Sequence, residues 1–139
     1  MLRLELPWPP TVNTATTVAR GRKITSKKAR DYYDHVKAIV SKNRLARSIK
    51  GNLLACVTRY PPDRRKRDID NTNKCLFDSL SKSGVIGDDS QIKISLHADA
   101  DIIKDGCIVV DLYQINCESI HSIAETFTRE AIDYYTKNK

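Results

Sequence analysis

Residues 61–74 read PPDRRKRDIDNTNK. Four consecutive cations, Arg64, Arg65, Lys66 and Arg67, abut two carboxylates one residue apart, Asp68 and Asp70. Lys74 follows one helical turn after Asp70, and a second acidic pair, Asp88-Asp89, lies further along. Magnesium takes oxygen ligands and keeps several waters, so one or two carboxylates plus a substrate phosphate suffice to hold it. Asp70 with Asp89 or Asp88 supplies that set, and Asp68 is a further ligand or a base that orients water. A metal bound there polarises a phosphoryl oxygen and lowers the pKa of an attacking water. Lys74 then offsets charge developing on the phosphate. The neighbouring cations grip a phosphate backbone. Metal-assisted phosphodiester hydrolysis on DNA or RNA is the chemistry these residue types imply.

Plainer roles fit the same residues. Asp68 can be a helix N-cap and Asp70 a first-turn acid facing the helix dipole. Asp70 and Lys74 can be a surface i,i+4 pair. Asp88-Asp89-Ser90 follows Gly87 and suits a turn. Asp99 and Asp101 repeat the DxD spacing with no basic run beside them, so they read as solvated turn residues. A DxD pair alone therefore carries little.

The elements that must position these groups follow from periodicity. Leu2, Leu4 and Leu6 alternate with polar residues, which predicts a strand ended by Pro7, Pro9 and Pro10. Residues 11–25 read as a polar loop carrying Arg20, Arg22 and Lys23, and Lys27 follows. Ser26 is the expected N-cap of a helix to about Asn43, with Ala29, Tyr32, Tyr33, Val36, Ile39 and Val40 as its apolar stripe. Residues 53–60 (LLACVTRY) predict a buried strand. A second helix is expected over 69–82, capped by Asp68 and ended by Gly84. At about 100° per residue, Ile69, Leu76 and Leu80 share its core face. Asp70, Lys74 and Asp78 share another. Ile92, Ile94 and Leu96, then Ile108, Val110 and Leu112, predict two strands joined as a hairpin through Asp105-Gly106. A last helix over about 119–137 places Ile120, Ile123, Ala124, Phe127, Ala131 and Tyr134 on one face. The expected fold class is α+β: one domain over residues 1–139, with a small mixed sheet packed by helices in the order β-α-β-α-β-β-α.

Composition narrows the class further. At 139 residues the chain can bury a core without staples. No apolar run reaches the about 20 residues of a membrane span, so no membrane partner is expected. The opening MLRLELPWPP lacks the zones of a signal peptide. Cys56, Cys75, Cys107 and Cys117 show no CxxC spacing, which argues for buried reduced thiols over zinc or disulfides. Residues 1–67 hold 17 of the 24 Lys/Arg and 4 of the 17 acids, a net of +13, so the remainder carries −6 against a total of +7. A basic half suits a polyanionic partner. HExxH, GxxxxGK[ST] and GxSxG are absent, which removes several rival chemistries.

Taken together, these segments resemble the RusA family of Holliday junction resolvases. The matching pieces, in order, are LPWPPTVN, GRKITSKKARDYYDHV, PPDRRKRDIDNTNKCLFDSL and GVIGDDSQI. The resemblance is good over about residues 4–95 and looser to about Gln114. It implies a homodimer that binds four-way DNA junctions and nicks two strands symmetrically with Mg²⁺ or Mn²⁺, in the cytoplasm of a bacterium or of a bacterial cell hosting a phage. It maps the essential carboxylates onto Asp68, Asp70 and Asp89 and the essential lysine onto Lys74, and it ranks Asp89 above Asp88. Two features depart from the family pattern. Gly87 stands where many relatives carry a larger residue, and the tail beyond about Cys117 is longer. Two other readings stand beside a resolvase. One is a non-catalytic nucleic-acid-binding module, and the other is a nuclease for flaps, forks or RNA.

Overall fold

The alternating leucines form strand β1 (Leu2–Pro7), with Leu2, Leu4 and Leu6 buried and Arg3 and Glu5 exposed. The computed structural model describes residues 1–137; in the last helix the side chains at 117, 131, 132, 134 and 135 lie outside that description. After the prolines comes a short helix, α1 (Val12–Ala15), then an antiparallel hairpin of β2 (Thr16–Ala19) and β3 (Arg22–Thr25). The expectation of a loop over 11–25 is corrected here. Arg20 and Gly21, with φ of 49° and 72°, supply the left-handed pair that a two-residue hairpin turn requires. No apolar alternation betrays the hairpin, because all eight strand residues are exposed.

Helix α2 (Lys27–Lys42) matches its expected limits. The Ser26 hydroxyl accepts from the Ala29 amide at 3.1 Å, and Ala29, Tyr32, Val36 and Val40 are buried. Strand β4 (Asn52–Tyr60) follows, then a single 3-10 turn (Ile69–Thr72), helix α3 (Asn73–Lys82), a second 3-10 turn (Asp89–Gln91), β5 (Ile92–Asp99) and β6 (Cys107–Ile115). Helix α4 (Cys117–Lys137) closes the described chain. Asn116 starts it two residues before the expected position, its side-chain oxygen accepting from the Ser119 amide at 2.7 Å.

The four-stranded sheet runs β1-β6-β4-β5. It is mixed: β4 pairs parallel with β5 and antiparallel with β6, and β6 pairs antiparallel with β1. The expected β5–β6 hairpin does not form, because β4 stands between them. Residues 100–106 carry the chain across the end of β4 instead. Ala100 donates to the Arg59 carbonyl at 2.8 Å and Ile103 to the Pro61 carbonyl at 3.0 Å. Gly106, at φ 66°, lies so close that a Cβ would stand 2.8 Å from Pro62 Cδ and 3.0 Å from the Tyr60 carbonyl. Asp105-Gly106 is thus a turn as expected, but it packs on the end of β4.

One sheet face, with Leu53, Ala55, Val57, Ile108, Val110 and Leu112, is buried in one core with α2 and α3. On the other face Leu54, Cys56, Ile94, Leu96 and Val109 are half-buried. Cys75 is fully buried, while Cys56 and Cys107 are half-buried free thiols, so burial holds for one of the three described cysteines; Cys117 lies outside them. The described side chains of α4 are exposed or half-buried, Phe127 among the exposed ones, so the expected apolar face does not enter the core. Ala131 and Tyr134 lie outside the described side chains. Among the described residues no helix is long and apolar enough to cross a membrane.

Gly106 and Gly21 separate strain from crowding. Both have positive φ, but a Cβ on Gly21 meets nothing within 4 Å. Gly21→Ala is expected to cost about 1 kcal/mol, and Gly106→Ala about 2–4 kcal/mol because clash adds to strain. Urea midpoints of the two variants measure the difference.

Candidate active site

Asp68 and Asp70 sit where the chain leaves β4 for α3. Asp68 is in extended backbone at the N-cap position of the 3-10 turn, but its side chain makes no capping bond. The N-cap role anticipated for it is therefore not filled, and its carboxylate is exposed. Asp70 is exposed in the first turn, and neither residue takes part in an ion pair among the described residues. The expected single helix over 69–82 is a 3-10 turn followed by α3, and that changes the facing. A 3-10 turn advances fewer residues per turn than an α-helix. Ile69 rotates out to 51% exposure, while Leu76 and Leu80 remain buried. The register from Asp70 to Lys74 is broken by the same turn.

Lys74 turns toward two other acids. Its Nζ lies 2.7 Å from Asp78 and 3.6 Å from Asp89. The hydrogen bond to Asp78 first, then the charges of Asp78 and Asp89, raise its pKa against a smaller desolvation effect. Lys74 thus carries its proton at neutral pH and serves as a cation, not a base.

The acidic pair divides its labour. Asp88 Oδ1 accepts from the Ser90 amide at 2.9 Å, and the Gln91 side-chain oxygen accepts from the amides of Gly87 at 2.7 Å and Asp88 at 3.0 Å. Those bonds form a reciprocal capping box. The Ser90 hydrogen bond lowers the Asp88 pKa. The Gln91 amide also donates to the carbonyls of Ile49 and Gly51, both at 2.9 Å. Gly87 suits this loop, since a Cβ there would stand 3.1 Å from the Gln91 oxygen. Asp88 is spent on the turn. Asp89, 41% exposed at its side chain, faces Lys74.

Of the four-cation run, Arg64 and Lys66 are exposed and free of ion pairs among the described residues. Asp63 holds the other two, with Arg65 at 2.8 Å and Arg67 at 2.9 Å. Bonds from Arg65, and then from Arg67, keep the Asp63 carboxyl well below the usual range. Arg67 is turned inward, its guanidinium 5.5 Å from the centre of the Trp8 ring. A groove beside it is lined by Trp8, Thr11, Lys28, Pro62, Arg65 and Arg67. Arg20, Arg22 and Lys23 are exposed on the hairpin, and Lys27 is exposed but paired with Asp31 at 2.6 Å.

Arg59 went unnoticed in the sequence. Its Nε donates to Asp99 Oδ1 at 2.6 Å, and its Nη1 to the carbonyls of Asp68 at 3.2 Å and Ile69 at 3.1 Å. Asp99 is therefore an ion-pair partner and not the solvated turn residue expected. The signal was present: Arg59 falls in alternation with Leu53, Ala55 and Val57, so its charge had to face the core. On the same sheet face His97 contacts Ser95 at 2.5 Å and Asn73 at 3.4 Å. Burial first, then the Arg59 charge, lower the His97 pKa, which keeps the ring neutral at pH 7.

The donor chemistry fits a hard divalent cation: exposed carboxylates, oxygen ligands only, and a lysine alongside. Among the described residues no group of three His, Cys, Asp or Glu forms a ready-made cage. One or two carboxylates with waters and substrate phosphate are the ligation such a cation accepts.

The profile of the family described as Endodeoxyribonuclease RusA matches residues 7–111. The chain belongs to the RusA family. Curated members named crossover junction endodeoxyribonuclease RusA, from Escherichia coli (strain K12) and Enterobacteria phage 82, are each 36% identical over 89 residues, 64% of this chain and 74% of theirs. A third, from Escherichia coli O139:H28, is 34% identical over the same span. As a RusA-family chain it carries α4 beyond the matched residues.

The division between the two acids has a measurable consequence. Asp88→Ala is expected to lower stability by about 1 kcal/mol through loss of the cap. Asp89→Asn should leave stability within about 0.5 kcal/mol. Equal urea midpoints for the two variants would contradict the assignment.

Proposed function

We propose that this RusA-family protein resolves Holliday junctions as a divalent-metal-dependent endodeoxyribonuclease, nicking two strands symmetrically in DNA recombination and repair. The observation that carries the site assignment is Lys74, at the start of the helix that follows Asp68 and Asp70, standing within ion-pair distance of Asp89. Asp70 and Asp89 hold the metal, Asp68 is a further ligand or orients water, and Asp88 contributes mainly by shaping the turn. Mg²⁺, with Mn²⁺ as a substitute, supplies Lewis acidity at the phosphoryl oxygen and a more acidic bound water. Protonated Lys74 neutralises charge developing on the scissile phosphate.

Arg64, Lys66 and Arg65 form the outward phosphate grip, supported by Arg20, Arg22 and Lys23 on the hairpin and by Lys27. Arg67 serves from within, as the residue that shapes the run. A homodimer is part of the same reading, because two-fold symmetry presents two identical sites to a nearly symmetric four-way junction. The half-buried apolar sheet face and the open face of α4 are surfaces that such an assembly can cover. Residues 1–139 form one nuclease domain with α4 as an addition, working in the cytoplasm of a bacterium or a phage-bearing cell.

Asp70→Asn is expected to slow paired nicking by about 100-fold or more, about 2.7 kcal/mol of barrier, while junction binding survives. Comparing duplex, flap, fork and four-way junction with and without Mg²⁺ tests the substrate. Binding with no product under any metal would leave a binding module instead. Arg64→Ala and Lys66→Ala should each reduce the slope of log affinity against log salt by about 1, with Arg67→Ala instead losing stability. Filter binding over a salt series and a urea titration separate these roles.

A further inference from the structure

The sole buried cation described in the core is Arg59, at 1% exposure, on β4's inward face one residue before the strand ends. A guanidinium placed there needs an opposing charge and filled donors, or its desolvation is uncompensated. It has both. Asp99, one strand away on β5, supplies the charge at 2.6 Å. The remaining donation goes to two consecutive peptide carbonyls, those of Asp68 and Ile69. These peptides bracket the DxD motif: one links Asp68 to Ile69, and the next links Ile69 to Asp70. With both carbonyls drawn inward onto one planar fork, the backbone between the two aspartates is fixed in orientation. The Asp68 and Asp70 side chains emerge on the exposed side of that backbone.

Among the described residues no other side chain donates to these two carbonyls. Asp68 makes no capping bond, and the backbone bond onto its carbonyl, from the Asn71 amide, is long at 3.3 Å. A 3-10 turn of four residues has little internal stiffness. Stiffness is therefore imported from the sheet. Arg suits the task better than Lys, which keeps the charge but lacks the planar fork that engages a carboxylate and carbonyls together in fixed geometry.

We infer that Arg59, neutralised by Asp99, is a positioning residue that orients the Asp68 and Asp70 carboxylates for metal-assisted strand cleavage from inside the core. The inference rests on Asp68 and Asp70 being the catalytic carboxylates.

The test uses the full chain and a four-way junction under single-turnover conditions across a Mg²⁺ titration. For folded Arg59→Met, junction affinity without metal should be unchanged. The cleavage rate should fall by about 10- to 100-fold, the scale set by misplaced catalytic groups. The Mg²⁺ concentration for half-maximal rate should rise. Arg59→Lys should recover part of the rate, and Asp99→Asn should shift the Mg²⁺ requirement in the same direction. If Arg59→Met does not fold, Arg59→Lys and Asp99→Asn carry the comparison. Wild-type rate and Mg²⁺ dependence in the folded variants would overturn the inference. So would a rate that falls only in step with junction binding and folded fraction. Asp70→Asn runs alongside: normal cleavage by that variant overturns the site itself, whereas its loss beside normal Arg59 variants overturns the positioning role alone.

Discussion

Parallel pairing of β4 with β5 is the constraint from which the site follows. Parallel neighbours cannot be joined by a tight turn, so the chain must leave the sheet, run back along it and re-enter. Helix α3 is that return. Its ten residues span about 15 Å. The DxD motif lies where β4 hands over to the helix, and the acidic pair where the helix hands over to β5. Lys74 reaches along the helix and narrows the gap between those two junctions. Among the described residues these carboxylates form no ready-made cage. On the proposed function, the metal and the scissile phosphate complete the site together.

Charge is handled by assigning roles within clusters. Asp63 restrains two arginines of the basic run and leaves Arg64 and Lys66 outward. Asp88 is satisfied by backbone amides while Asp89 faces a cation. Arg59 is enclosed, and Asp99 is enlisted from the neighbouring strand. In the first two cases one member of a like-charged set becomes scaffold and another stays available. A sequence shows the cluster but not the division, because the division depends on which backbone groups come near.

The limits of legibility in the sequence have the same origin. Periodicity located β1, α2, β4 and most of α3, since each has one face in the core and a capping or breaking residue at its end. The family and its chemistry were legible too, because four segments keep their order and spacing. Strand partnership was not: Ile92–Leu96 and Ile108–Leu112 look like a hairpin locally, and only the antiparallel register of β6 on β4 excludes it. The β2–β3 hairpin has no buried face, so it leaves no apolar pattern to find. The turn at Ile69 escaped because one 3-10 turn shifts side-chain direction without altering composition. Arg59 was hidden in a strand recognised for its apolar neighbours, although its parity with them was the clue.

That hairpin has a thermodynamic consequence. It carries Arg22 and Lys23, with Arg20 at its tip, on eight exposed residues that add nothing to the core. A two-stranded ribbon without a packed face is marginal in water. Its order is thus set by a balance that warming tilts easily, and contact with a phosphate backbone tilts it back. On the proposed function, an arm that meets the phosphate backbone contributes an ordering entropy to association that the rigid sheet does not, and the heat of binding then carries a component from the arm's own folding.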